Sequence, residues 1–95
     1  MRVRWLPSAA RALDAEYDYL AAKNPQAARQ VFRRIVSATR RLGEFPHSGR
    51  VGQVEGTREL VVAGLPYLVV YQVSGEQVEI LRVFHTSRDW PSAMN

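Results

Sequence analysis

The spacing of apolar and polar positions changes period once along the chain, near residue 57. Between residues 9 and 42 apolar side chains recur every three or four positions. From residue 58 to 84 they crowd into short runs separated by turn residues. The first spacing suits helices and the second suits strands. The run over residues 67–73 is the least interrupted. Tyr67, Val69, Tyr71 and Val73 share one face, and Leu68, Val70 and Gln72 share the other. With both faces largely apolar, it predicts an interior strand. Gly64-Leu65-Pro66 joins it to a strand over 58–63. Ser74-Gly75 predicts a tight hairpin into a strand over 78–84, because Gly tolerates the positive φ of such a turn. The three runs make an antiparallel meander.

Upstream, residues 2–6 alternate, with Val3 and Trp5 on one face and Arg2 and Arg4 on the other. That is a short half-buried strand. Pro7-Ser8 follows, and Ser8 is expected to cap a helix starting at Ala9. Leu13, Tyr17 and Leu20 recur at helical spacing, with Ala9, Ala10 and Ala21 on the same side and Asp14, Glu16 and Asp18 facing out. Asn24-Pro25 ends this helix and opens the next, with Asn24 as N-cap and Pro25 at the first helical position. The second helix is expected over 25–42, stopping at Gly43. Ala28, Val31, Phe32, Ile35, Thr39 and Leu42 form its buried stripe. Arg29, Arg33 and Arg40 line one flank of the stripe, and Arg34 and Arg41 the other.

The predicted fold is therefore α+β, in the order β-α-α-β-β-β. A four-stranded, mainly antiparallel sheet carries an N-terminal α-helical hairpin on one face. The 95 residues suffice for one domain and one core. The pattern leaves the pairing partner of the first strand open. Residues 45–57 form a long loop rich in Pro, Gly, Ser and Gln, either functional or a plain connection anchored by Phe45. Residues 85–91 read as a short capped turn, with Trp90 folding back onto the core.

Composition narrows the function class. At 46% hydrophobic and 23% charged, the chain is an ordinary soluble globular sequence. No apolar run approaches the ~18–20 residues of a membrane span, and residues 1–5 do not read as a secretory signal. The absence of cysteine excludes disulfides and thiolate metal sites and fits a reducing cytoplasm. Neither metal nor cofactor is expected. Of 13 basic residues only Lys23 is a lysine, and the net charge is +4. Arg29, Arg33, Arg34, Arg40, Arg41, Arg50 and Arg58 face only Glu44 and Glu55 over residues 25–58. Such a surface suits nucleic acid or an acidic protein, or it reflects arginine-biased codon usage.

Several side chains could carry chemistry. His85 ends the last strand, where it either serves as general acid or base or caps the following turn through backbone or Asp89. Arg58 and Arg82 could converge with Arg50 on one face to hold a phosphate, or pair with Glu59 and Glu79. Tyr67 and Tyr71 could stack bases or fill the core.

Taken in order, Pro46-x-x-Gly49-Arg50, Arg58-Glu59-Leu60, Pro66-Tyr67 with Tyr71, and Ile80-Leu81-Arg82-Val83-x-His85-x-x-Arg88 resemble the RelE/ParE family of type II toxin–antitoxin toxins. The resemblance spans nearly the whole chain. It implies a growth-arresting toxin wrapped by a cognate antitoxin, with Arg29, Arg33 and Arg40 meeting the antitoxin. ParE-like members are reported to inhibit DNA gyrase, and RelE-like members cut mRNA on the ribosome. In the second case His85 or Tyr71 would act as acid or base, with Arg58 and Arg82 stabilising the phosphorane. Nuclease-type members tend to carry an arginine where this chain has Tyr67-Leu68, and a tyrosine where Thr86 follows His85. The lysine cluster that grips ribosomal RNA is also missing. The resemblance thus points to the ParE branch, with gyrase as target and Arg50, Arg58, Arg82, His85, Arg88 and Trp90 as the contact set.

Overall fold

The computed structural model describes residues 1–88. Strand β1 (Arg2–Trp5) leads into helices α1 (Pro7–Ala21) and α2 (Pro25–Arg41), followed by β2 (Arg50–Val51), β3 (Arg58–Val61), β4 (Tyr67–Ser74) and β5 (Gln77–His85). The fold is α+β, with one more strand than the period pattern predicts. Strand β2 spans two residues inside the long loop, too few to show an alternation. It exists because Arg50 and Val51 pair with Glu59 and Arg58 of β3.

The five strands form one sheet in the order β1-β5-β4-β3-β2. Strand β4, apolar on both faces, takes the centre. All neighbours are antiparallel except β1, which runs parallel to β5 with Arg2 opposite Gln77 and Trp5 opposite Ile80. The β3 edge of the meander is taken by β2, so the first strand adds beside β5.

Helix α1 begins earlier than expected. Leu6 is its N-cap, without a side-chain cap bond, and Pro7 stands in the first turn. Ser8 has no capping role, because Pro7 already carries the helical φ and lacks the N–H that a cap would serve. Helix α2 starts as expected, with Asn24 Oδ1 accepting from Ala27 N at 3.1 Å. The β4–β5 hairpin turns on Gly75-Glu76, one residue later than the sequence suggests, with Ser74 opposite Gln77 and Gly75 at φ +61°. A glycine at the first turn position suits a two-residue loop of this kind.

Ala9, Leu13, Ile35 and Leu42 of the helical layer pack against Tyr67, Val69, Tyr71, Val78, Ile80 and Val83 of the sheet. Each fully buried aliphatic side chain contributes roughly 1.5–3 kcal/mol relative to exposure. Leu68, Val70 and Phe84 are buried on the opposite face with Leu81 partly buried beside them. Between the two faces lies a β-bulge. Val70 sits opposite Arg82 and Tyr71 opposite Ile80, which leaves Leu81 as the extra residue. The bulge reverses the side-chain phase along β5. Val78 and Ile80 face the helices, Arg82 and Phe84 face away, and Val83 and His85 face the helices again.

Candidate functional site

Two polar assemblies flank the core. The first is built on Tyr71, which is fully buried in β4. Its hydroxyl donates to Pro46 O at 2.8 Å and accepts from Gly49 N at 2.9 Å. A Cβ at position 49 would lie 2.6 Å from that hydroxyl and 2.8 Å from the Glu59 carbonyl oxygen, so the site requires glycine. Arg58 grips the same loop, its guanidinium donating to Gly49 O at 2.8 Å and His47 O at 3.3 Å. Buried Glu59 accepts from Arg50 Nε at 3.0 Å and from Gln53 N at 3.3 Å. The loop is therefore anchored by Tyr71, and Phe45, the expected anchor, is exposed.

The second assembly closes the end of the sheet. Glu16 of α1 accepts from the Tyr67 hydroxyl of β4 and from the Arg88 guanidinium beyond β5. Arg88 also lies 4.5 Å over the Tyr19 ring, whose hydroxyl accepts from Lys23 Nζ at 2.8 Å. His85 sets its ring edge-on to Tyr67, with centroids 5.2 Å apart. Its Nδ1 accepts from the amides of Ser87 and Arg88, both at 3.1 Å. Burial, reinforced by the Glu16 carboxylate, pushes the Tyr67 phenol well above its ordinary range. The same carboxylate raises Arg88. Glu16 does not face out as expected: its side chain is only 15% exposed, whereas Asp14 and Asp18 are exposed. The signal was present in the sequence, since position 16 falls between Leu13 and Leu20 on the apolar stripe.

The arginines expected to converge do not. Arg58 is opposite Tyr71 on the helix side of the sheet, whereas Arg50, Glu59, Val70 and Arg82 form a cross-strand row on the other side. The bulge at Leu81 is the reason. With a regular β5, Arg82 would face the helices beside Arg58. Arg82 is exposed and has no ion-pair partner among the described residues, while Arg50 pairs with Glu59. Trp90 lies outside the described residues. On α2, Arg29 and Arg33 border a groove of about 370 Å³ that Tyr17, Phe32 and Asp14 also line. Arg40, about two turns further along, borders a second groove of about 400 Å³ with Val3, Trp5 and Val36. Arg34 does not stand free at the surface but ties α2 to the Ala63 carbonyl.

Residues 3–90 match the sequence model of the ParE toxin of the type II toxin–antitoxin system parDE. The chain belongs to the ParE toxin family. It is 43% identical over 93 residues to Y4kP of Sinorhizobium fredii, named as a candidate toxin, covering 98% of this chain and 96% of that protein. A structure described as a chromosomal ParDE toxin–antitoxin system from P. aeruginosa superposes with a TM-score of 0.81 at 30% identity, over 90% of this chain and 95% of that one. In this ParE-family chain, Gly49, Arg50, Arg58, Glu59 and Tyr71 are joined to one another and to the loop main chain. The blocks that carry the family resemblance through the loop hold its main chain against the sheet. The Tyr71 hydroxyl gives its one proton to Pro46 O and accepts the Gly49 amide, which ties the ring to the loop main chain.

Proposed function

We propose that this ParE-family toxin arrests growth by binding DNA gyrase in the cytoplasm rather than by cutting RNA. A cognate antitoxin neutralises it. The observation that carries this reading is the internal use of the side chains a nuclease would need. Tyr71 is bonded to loop main chain on both sides, Arg58 to two loop carbonyls, and His85 Nδ1 to two turn amides. Arg82 stands on the other face of the sheet from Arg58, so the pair cannot cradle one phosphate. Exposed Arg82 and Arg50 supply a contact surface for an acidic partner, and His85 and Arg88 border the turn that follows β5.

The antitoxin side of the proposal rests on charge and shape. Residues 25–43 carry five arginines and no acidic residue. Arg29, Arg33 and Arg40 edge two grooves on one flank of α2, where Tyr17, Phe32, Val3, Trp5 and Val36 supply apolar surface and Asp14 is the one acidic lining residue among the described residues, an arrangement that favours an acidic amphipathic segment. The deciding experiment pairs two measurements on the induced or purified toxin. Purified protein should inhibit gyrase supercoiling, and message 5′ ends mapped after induction should stay unchanged. Codon-phased cleavage of translated messages would replace this reading with ribosome-dependent nuclease action.

A further inference from the structure

The assembly at the sheet end is larger than the core requires. Strand β5 is already paired with β4 from Gln77 to His85 and with β1 over Gln77–Ile80, and Val83 and Phe84 are buried. Yet, among the described residues, five further contacts act on the three residues after it. Thr86 N donates to Pro66 O at 2.9 Å, and His85 Nδ1 takes the amides of Ser87 and Arg88. Arg88 reaches Glu16 and lies over Tyr19, both on α1. Ser87 and Arg88 are themselves exposed, so these bonds bury little apolar surface. What they fix is direction: where the chain leaves β5 and how the turn sits against α1. A carboxylate with 15% exposure that accepts from two separate elements is costly to place and highly selective in geometry.

We infer that Glu16 is a positioning residue: through Arg88 and Tyr67 it locks the 86–88 turn to α1, and toxicity depends on that placement rather than on Arg88 touching the target. The inference rests on the reading that the chain arrests growth by binding. It gives Arg88 an internal role in place of target contact.

The test uses the full-length toxin and three variants, Glu16→Gln, Arg88→Gln and the charge swap Glu16→Arg with Arg88→Glu. Growth arrest at matched soluble expression, gyrase inhibition and melting temperature are read for every protein, and the rate of trypsin cleavage after Arg88 for wild type and Glu16→Gln, which keep that arginine. Losing a charge-assisted bond should raise the open population of the turn, so cleavage after Arg88 should accelerate roughly tenfold or more in Glu16→Gln. Both single variants should weaken growth arrest by about tenfold or more, and the swap should restore most of it. A merely structural role would lower melting temperature and activity together and would not show recovery by the swap at unchanged stability. Should Glu16→Gln not fold, Arg88→Gln at its exposed position and the swap still decide.

Full activity in Glu16→Gln beside an inactive Arg88→Gln would overturn the inference and make Arg88 a contact residue. So would an unchanged trypsin rate, or a wild-type chain that arrests no growth. If wild type arrests growth without inhibiting gyrase, the choice of target fails while the growth and trypsin results still judge Glu16.

Discussion

The loop assembly and the sheet-end assembly use the same materials, a buried tyrosine, an arginine and a carboxylate, to different effect. At the loop, Tyr71 and Arg58 bond main-chain groups of residues 46–49. Those partners carry no charge and cannot titrate, so residues 46–49 are held by shape and hydrogen-bond geometry, and Glu59 holds Arg50 and Gln53 further along the loop. At the sheet end, Tyr67 and Arg88 bond a side-chain carboxylate. That junction depends on charge and on one residue of α1. The difference predicts two failure modes. The loop should be sensitive to added volume at Gly49, and the sheet end should respond to charge and pH while the core survives.

The largest effect is expected at Gly49. An alanine there places its Cβ 2.7 Å from Tyr71 Cε1 and 2.8 Å from a β3 carbonyl oxygen. Neither can give way, because the ring is fully buried and the carbonyl belongs to the sheet. Overpacking of this kind costs on the order of 1–3 kcal/mol. In a domain of this size each kcal/mol lowers the melting temperature by about 4–8 °C. Thermal unfolding of Gly49→Ala measures it. An unchanged melting temperature would mean that loop and ring are not in contact, and the contrast between the two assemblies would collapse.

A smaller effect is expected from pH at the sheet end. Burial and the neighbouring Glu16 raise the Tyr67 phenol, so folding favours its neutral form. The stability this contributes is fully present below the ordinary phenol value of ~10 and is lost as pH rises through the folded value. Wild type should therefore lose melting temperature above pH ~10 faster than Tyr67→Phe, which has no phenol to ionise. Tyr19 is lowered by Lys23 and works in the opposite sense, but it is common to both proteins and cancels in the comparison. Parallel melting-temperature profiles would show that Tyr67 is not held neutral by its surroundings.

What the sequence disclosed follows the same division. Elements set by periodicity were legible: the central place of β4 from its two apolar faces, the α2 stripe from its spacing, and the Asn24 cap from its position before Pro25. Features set by a single local departure were not. The bulge at Leu81 leaves no mark in an apolar run where either register keeps a hydrophobic residue facing inward, yet it moved Arg82 to the far side of the sheet from Arg58. Strand β2 was hidden because two residues have no period. Glu16 was readable in principle, but its neighbours Asp14 and Asp18 made the whole acidic series look solvent-facing. The loop motif could be recognised by its residues, whereas its role could not, because the main-chain partners of Tyr71 and Arg58 are invisible to a reading of side chains.

The smallest effect is expected at His85, which ends β5. Its Nδ1 accepts from two amides of the following turn, a role that the side-chain oxygen of glutamine can also fill. What Gln cannot reproduce is the edge-on contact with Tyr67, and such aromatic pairs contribute about 0.5–1.5 kcal/mol beyond area burial. His85→Gln should thus melt a few degrees lower and keep its turn. General acid–base catalysis typically supplies ~10²–10⁴-fold, so a toxin that used this imidazole on RNA would lose nearly all activity. A binding toxin should lose little. Growth arrest by His85→Gln, at soluble levels matched to wild type and scored beside the Glu16 and Arg88 variants, separates the two. Abolished arrest with an intact melting transition would make His85 a chemical participant. Retained arrest would leave the sheet end as a device that places the turn through Glu16 while the histidine ring only braces it.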